Sequence, residues 1–161
     1  MGNKVLTTEF VAMLRNEFPL DWRGIHGAPH WARVRYNGMQ LAARNGANAT
    51  LVELFAFLHD ARREHDGGDR DHGERAAALV RELNGRFYSL ARQELRLLEL
   101  ACRDHSLGLI DHPSITVQTC WDADRLDLGR VGIRPVADRL CTDEARGAGV
   151  IEAAYARSIG W

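Results

Sequence analysis

No apolar run in this chain approaches the length of a membrane span, and nothing like a secretory signal comes before its first helical segment. These absences argue against a membrane partner and lead us to expect a cytoplasmic protein. Gly2 follows the initial Met, but Leu6 stands where a myristoylation signal needs Ser or Thr. Lysine and arginine do not gather into the basic stripe of a nucleic-acid surface, and the net charge is -1, so no nucleic-acid polymer is expected as a partner. The cysteines, Cys102, Cys120 and Cys141, are odd in number and widely spaced, with no CxxC pair. That pattern predicts reduced, mostly packed thiols rather than a disulfide framework. No internal repeat, linker or low-complexity segment divides the sequence, and no nucleotide-reading fingerprint names a substrate.

What remains is a chain of 161 residues, long enough to bury a core as one domain spanning 1–161. Phe10, Leu14 and Phe18 recur at helical spacing over 7–18, and Pro19 stops that helix. Pro29 suits a first helical turn, so 29–44 reads as a second helix ending near Gly46. Gly38 inside it costs about 1 kcal/mol relative to alanine and marks an expected close crossing. Thr50 and Glu53 form a capping-box pattern opening a third helix that buries Leu51, Phe55 and Leu58. Glu64 to Asp71 is a loop by its Gly and Asp content, 72–83 a helix, and Ser89 is expected to cap a helix over 91–105. Residues 115–119 alternate and are β-branched, which favours strand. Continued to Leu126, however, Val117, Cys120, Trp121 and Asp124 fall at helical spacing, and no second strand is available for pairing. Helix is therefore the reading. A connection over 129–135, a short helix over 136–140 and a last one over 150–159 complete an all-α, single-domain helical bundle.

The chemistry shows in polar residues that fall on apolar stripes. His59 follows Phe55, Val52 and Leu51 by four, seven and eight, and so extends their buried face. His72 precedes Ala76, Leu79 and Leu83; His105 follows Leu98 and Cys102; His30 precedes Val34 and Leu41. Asp124 follows Val117, Cys120 and Trp121. A carboxylate on such a face is too costly to bury unpaired, and a shared metal ion would satisfy the whole set. Any one histidine, taken alone, is more often a satisfied core residue. His26, His65 and His112 have no apolar-face argument and read as solvated. Asp122 lies off the helical face of Asp124 and reads as an outer partner or exposed.

The order of the set, with His30 in PHWARV, His59-Asp60 in FLHDARRE and Asp124 in WDADRLDLGR, resembles the HD-domain superfamily over about residues 29–135. The resemblance implies a helical bundle in which His30, His59, Asp60 and Asp124 ligate a divalent cation. It also implies a metal-dependent phosphohydrolase acting on a nucleotide or other small phosphoester. Two imidazoles and two carboxylates suit Mn, Fe, Co, Ni, Zn or Mg. Asp60 is expected to contact both metal and water, as ligand or proton acceptor.

Further roles remain open at this stage. His72 and His105 stand between second-metal ligands and substrate-contacting or structural residues. Arg62 and Arg63 could bind phosphate through paired hydrogen bonds, and Glu64 could orient the attacking water. Some nucleotide-cleaving relatives carry an acid three positions after the doublet, where this chain has Arg63. Arg125 stands open in the same way, and Trp31 and Trp121 read as core or site wall. Two other functions fit the resemblance: a dinuclear-iron oxygenase, which would need His72 and His105, and a non-catalytic regulatory module, which would not need the full ligand set.

Overall fold

Pro29 lacks an N–H, so it costs nothing in the first turn of a helix, where that donor has no intrahelical partner. Helix α2 (Ala28–Asn45) begins there and ends at Gly46, whose φ of 77° lets its N–H bond back to Ala42 O. This long helix is the hub of the structure, a computed structural model that describes residues 4–160. Around it come α1 (Thr8–Glu17), α3 (Ala49–Leu58), α4 (His72–Leu83), α5 (Arg92–Asp104) and α6 (Ile115–Arg125). After 3₁₀ turns at Leu128–Val131 and Ala137–Arg139, a one-turn α7 (Asp143–Arg146) leads into α8 (Ala148–Gly160). The all-helical fold expected from the sequence is the one observed.

Helix α2 packs on α3 and α6, and α4 packs on α5. Trp31, Phe55 and Trp121 are fully buried in the main core. A smaller core of Leu41, Leu126, Leu140 and Ile151 seats the C-terminal helices. The β-branched segment 115–119 is helical because Ser114 caps it through Val117 N and its apolar stripe, Val117, Cys120 and Trp121, faces the main core. Thr119 Oγ1 also closes a bond to Ile115 O within that helix. Tertiary burial has overridden strand propensity here.

Two helix starts differ from expectation. Asn48, rather than Thr50, caps α3 by accepting from Leu51 N, while Glu53 is drawn off to Arg35 at 3.0 Å. The N-cap of α5 is Ala91, with Glu94 reaching back to its N–H and also accepting from Asn48 Nδ2, so Ser89 is not the cap.

Glycine permits two close approaches. At Gly38 a Cβ would lie 2.4 Å from Val52 Cγ1, which is the close crossing of α2 and α3 that its position suggested. At Gly73 a Cβ would lie 2.3 Å from Arg103 O, so the start of α4 presses on the last turn of α5. That contact brings His72 to His105. Gly73→Ala is expected to cost about 1–3 kcal/mol by overpacking, a fall in Tm of roughly 2–12 °C for a chain of this size. Gly68→Ala, at a site with open space around it, should leave the thermal melt unchanged or slightly raised.

Candidate metal centre

The site gathers from terminal turns of five helices. His30 lies in the first turn of α2 and His72 opens α4, while His59 and His105 cap the C-terminal ends of α3 and α5. Asp124 comes from the last turn of α6. Asp60 follows His59 directly and is 2 % exposed.

Two groups share Asp60. Its Oδ2 lies 3.5 Å from His30 Nε2 and 3.6 Å from His59 Nε2. The same two nitrogens lie 3.2 and 3.5 Å from Asp124 Oδ1. Its other oxygen, Oδ1, lies 3.4 Å from both His72 Nε2 and His105 Nε2. His30–His59–Asp60 and Asp60–His72–His105 are each close enough to hold one ion.

The backs of the imidazoles fix their tautomers. Nδ1 faces a backbone carbonyl in His59 (Phe55 O, 3.0 Å), His72 (Asp69 O, 2.5 Å) and His105 (Cys102 O, 2.6 Å). A carbonyl only accepts, so each Nδ1 must carry the proton. His30 Nδ1 donates instead to Asp127 Oδ2 at 2.7 Å, and Asp127 is held in turn by Arg33 Nε on Oδ1 at 2.6 Å. All four Nε2 lone pairs therefore point inward. They meet at 3.1 Å (His30 and His59) and 2.9 Å (His72 and His105). Opposed lone pairs at such distances need a cation or added protons between them. The donor set of imidazole nitrogen and carboxylate oxygen, with no thiolate, fits a divalent ion of the Mn, Fe, Co, Ni, Zn or Mg group.

The electrostatics agree. Burial alone would raise Asp60 and Asp124, yet the surrounding histidines hold both carboxyls well below the usual range. Burial would depress His59, and the carboxylates of Asp60 and Asp124 raise it instead. Burial and the neighbouring His105 lower His72, which is neutral at pH 7. Both carboxylates are thus ionised and ready to ligate.

Other expected residues fall in different places. Arg63 reaches the site, its Nη1 3.2 Å from His72 Nε2. Arg62 does not: it pairs with Glu17 at 2.9 Å on the outside. Glu64 does not either, because Asp69 accepts from its N–H and turns that segment outward, leaving its side chain 55 % exposed beside Arg75. Burial would raise Asp69, but the Glu64 N–H and the Arg75 guanidinium hold it down at about 2, so this clamp stays charged. His65 is exposed, as expected. His112 is half-buried, accepting from Ser114 N with its ring edge-on to Trp121. Asp122 is fully buried and serves the fold by accepting from Cys141 N, Thr142 N and Thr142 Oγ1. Burial raises it, and those three bonds offset part of the effect. Trp31 and Trp121 are core.

Two residues at the centre escaped the sequence reading. His26, read as solvated, is buried, with Nδ1 3.2 Å from Asp60 Oδ2 and Nε2 3.1 Å from Asp66 O. It lies in a loop, where no helical stripe could mark it. Trp31 Nε1 anchors that loop on His26 O. Asp127 follows Asp124 by three, which was its one available signal.

A cleft of about 380 Å³ opens onto the cluster and is lined by His26, Asp60, Arg63, His72, Asp124 and Arg130, among others. That volume suits a small molecule. A larger, mostly apolar cleft of about 620 Å³ beside Tyr36 and Arg157 holds no His or carboxylate group.

The fold has a counterpart in a solved structure. A predicted HD superfamily hydrolase from an uncultured Thermotogales bacterium superposes with a TM-score of 0.70 at 26 % sequence identity, covering 94 % of this chain and 86 % of that one. The chain shares the fold of that HD-superfamily structure, and its buried His/Asp cluster is consistent with the HD motif. No protein-family model matches the sequence, and no curated protein does. In this HD fold the doublet His59-Asp60 sits at the meeting point of both triads.

Asp127 orients His30 from behind, as carboxylates commonly do for ligating imidazoles. Asp127→Asn should weaken metal affinity by roughly 10–100-fold with little loss of fold, measured by competition against a chelator and by circular dichroism. Unchanged affinity would remove the orienting role.

Proposed function

We propose that this chain is a divalent-metal-dependent phosphohydrolase acting on a nucleotide or other small phosphoester. The observation that carries the reading is the inward convergence of four Nε2 atoms on the two oxygens of Asp60, with Asp124 alongside. The similar structure, described as a predicted hydrolase, supports it. His30, His59, Asp60 and Asp124 would hold one ion, and Asp60, His72 and His105 a second. A divalent cation bound there supplies Lewis acidity toward a phosphoryl oxygen and lowers the pKa of a nearby water.

The chain's own residues do the rest. Asp60, ionised and shared between the two groups, holds the centre together. His26 hydrogen-bonds to Asp60 and lines the cleft, so proton transfer falls to His26 rather than to Glu64, which faces outward. Arg63 is anchored through Nε and Nη2 to His65 O and Gly67 O, which leaves Nη1 beside the cluster for a phosphoryl oxygen. The surrounding apolar core, with Phe55 stacked on His59, excludes water from behind the ligands.

The second triad also favours a different reading, a dinuclear-iron oxygenase. Stoichiometric iron with a mixed-valent EPR signal and no phosphate release would select it.

Elemental analysis of the purified protein should find divalent metal, and a phosphoester panel run with several metals should show phosphate release. Asp60→Ala should abolish both. Metal content unchanged in that variant would sink the site assignment. His72→Ala should lower the content from about two ions per chain to about one. A stoichiometry that does not move would assign His72 to another role.

A further inference from the structure

The walls of the metal cleft carry three guanidinium groups, Arg63, Arg125 and Arg130. Among the described residues none of them has a carboxylate within 4.0 Å, although Asp66 lines the same cleft. Arginines elsewhere are commonly paired: Arg33 with Asp127, Arg62 with Glu17, Arg75 with Asp69 and Arg134 with Glu152. Asp60 and Asp124 also line the cleft but face the histidines, and Asp122 acts on Arg125 only from a distance, so the three guanidinium groups are left without a close ion-pair partner and can pair with an anion that enters the cleft.

Their attachments place them on two sides of the centre. Arg63 lies beside His72. Arg130 lies on the opposite flank, tied by Nε to Ile25 O at 2.9 Å, next to His26. Its Nη1 bonds to Asp127 O at 3.0 Å, three residues past Asp124. Both bonds go to backbone carbonyls, so the fork is held in position while its charge and its Nη2 have no protein partner. Arg125 lines the same cleft and is 8 % exposed, with Nη1 on Arg139 O at 3.2 Å and the guanidinium 5.7 Å above Trp121. Its Nη2 is buried with no hydrogen-bond partner at all. Leaving a charged donor unmet in a protein interior is expensive, and such atoms commonly mark a place where a ligand completes the bonding.

We propose that Arg125 and Arg130 form a second anion subsite on the Asp124 side of the metal centre, so that the substrate carries a second phosphoryl group beside the one that is hydrolysed. The proposal rests on the phosphohydrolase reading and narrows it to organic diphosphates and related polyphosphorylated compounds. The reacting phosphoryl group lies over the two triads with Arg63, and its neighbour faces Arg130 and Arg125. A planar guanidinium fork pairs with two oxygens of one anion at once, which a neutral leaving group does not offer. A simple monoester leaves the Arg130 flank without a partner. Arg130 is then a specificity residue, with no part in the bond-breaking step.

The test compares inorganic phosphate with inorganic pyrophosphate by calorimetric titration of the metal-loaded protein, with metal content measured before and after. Wild type should bind pyrophosphate about tenfold or more tightly than phosphate. Arg130→Gln should bring the two to within about twofold while phosphate affinity and metal content hold. Arg62→Gln, the same change of charge at a guanidinium outside the cleft, should keep the full preference. Because Arg130 also ties two loops together, Arg130→Lys serves as a second variant that retains charge and loses the fork. It should fold normally and show a reduced preference. Equal affinity for both anions in wild type, or a preference untouched in both Arg130 variants, would overturn the subsite alone. Stoichiometric metal with neither anion bound would overturn the phosphohydrolase reading together with it.

Discussion

The arrangement of this protein turns on one buried carboxylate. Asp60 is almost completely removed from solvent and remains ionised, with each oxygen facing a different pair of imidazole nitrogens. Desolvating a carboxylate costs several kcal/mol that only close partners recover. Here the partners come from α2, α4 and α5, from His59 beside it and from the loop at His26. Meeting that one requirement therefore constrains where most of the helices end. Removing one partner would leave the others with unmet polar atoms, which is why the centre behaves as a unit.

Helix ends are suited to this task for an electrostatic reason. The last carbonyls of a helix have no intrahelical donor and carry partial negative charge. His59 and His105 sit at such ends and turn Nδ1–H back onto the carbonyl four or three residues earlier, at Phe55 and Cys102. One bond satisfies a backbone acceptor, selects the tautomer and aims Nε2 at the centre. His72 uses Asp69 O in the same way from the opposite kind of terminus. His30 is different: buried in the first turn of α2, it relies on Asp127, which takes its own charge balance from Arg33.

Much of this could be read in the sequence because it was periodic. His30, His59, His72, His105 and Asp124 all fell on apolar stripes, and the four histidines are buried as that spacing implied, with Asp124 half-buried where it lines the cleft. The helical reading of 115–126 also came from spacing, against local propensity. What escaped was whatever periodicity does not encode. His26 reaches Asp60 from a loop whose path depends on tertiary contacts such as Trp31 Nε1 on His26 O. The outward turn of Glu64 depends on Asp69 five residues later, which also grips Arg75. The caps at Asn48 and Ala91 won because Asn48 bonds to Glu94, linking two helix starts that are distant in the chain. Asp122 and Asp124, neighbours on one helix, have opposite electrostatics because one faces the Thr142 turn and the other the histidines.

The centre is also the place where local stability has been given up. Nitrogen lone pairs at about 3 Å from one another, with the buried Nη2 of Arg125 unmet nearby, are unfavourable without a ligand. Conflicts of this kind are expected where function is selected, and they need support elsewhere. Trp31, Phe55 and Trp121 in the main core and the Leu41–Leu126–Ile151 contacts in the second provide it. A cation that binds the folded state adds stability in proportion to its occupancy, about 2.7 kcal/mol at a hundredfold excess over its Kd. Because its ligands come from terminal turns of separate helices, that gain would be spread over the bundle. Folding and metal loading would then be coupled through the same few atoms, since the ligands are brought together only when the helices are packed.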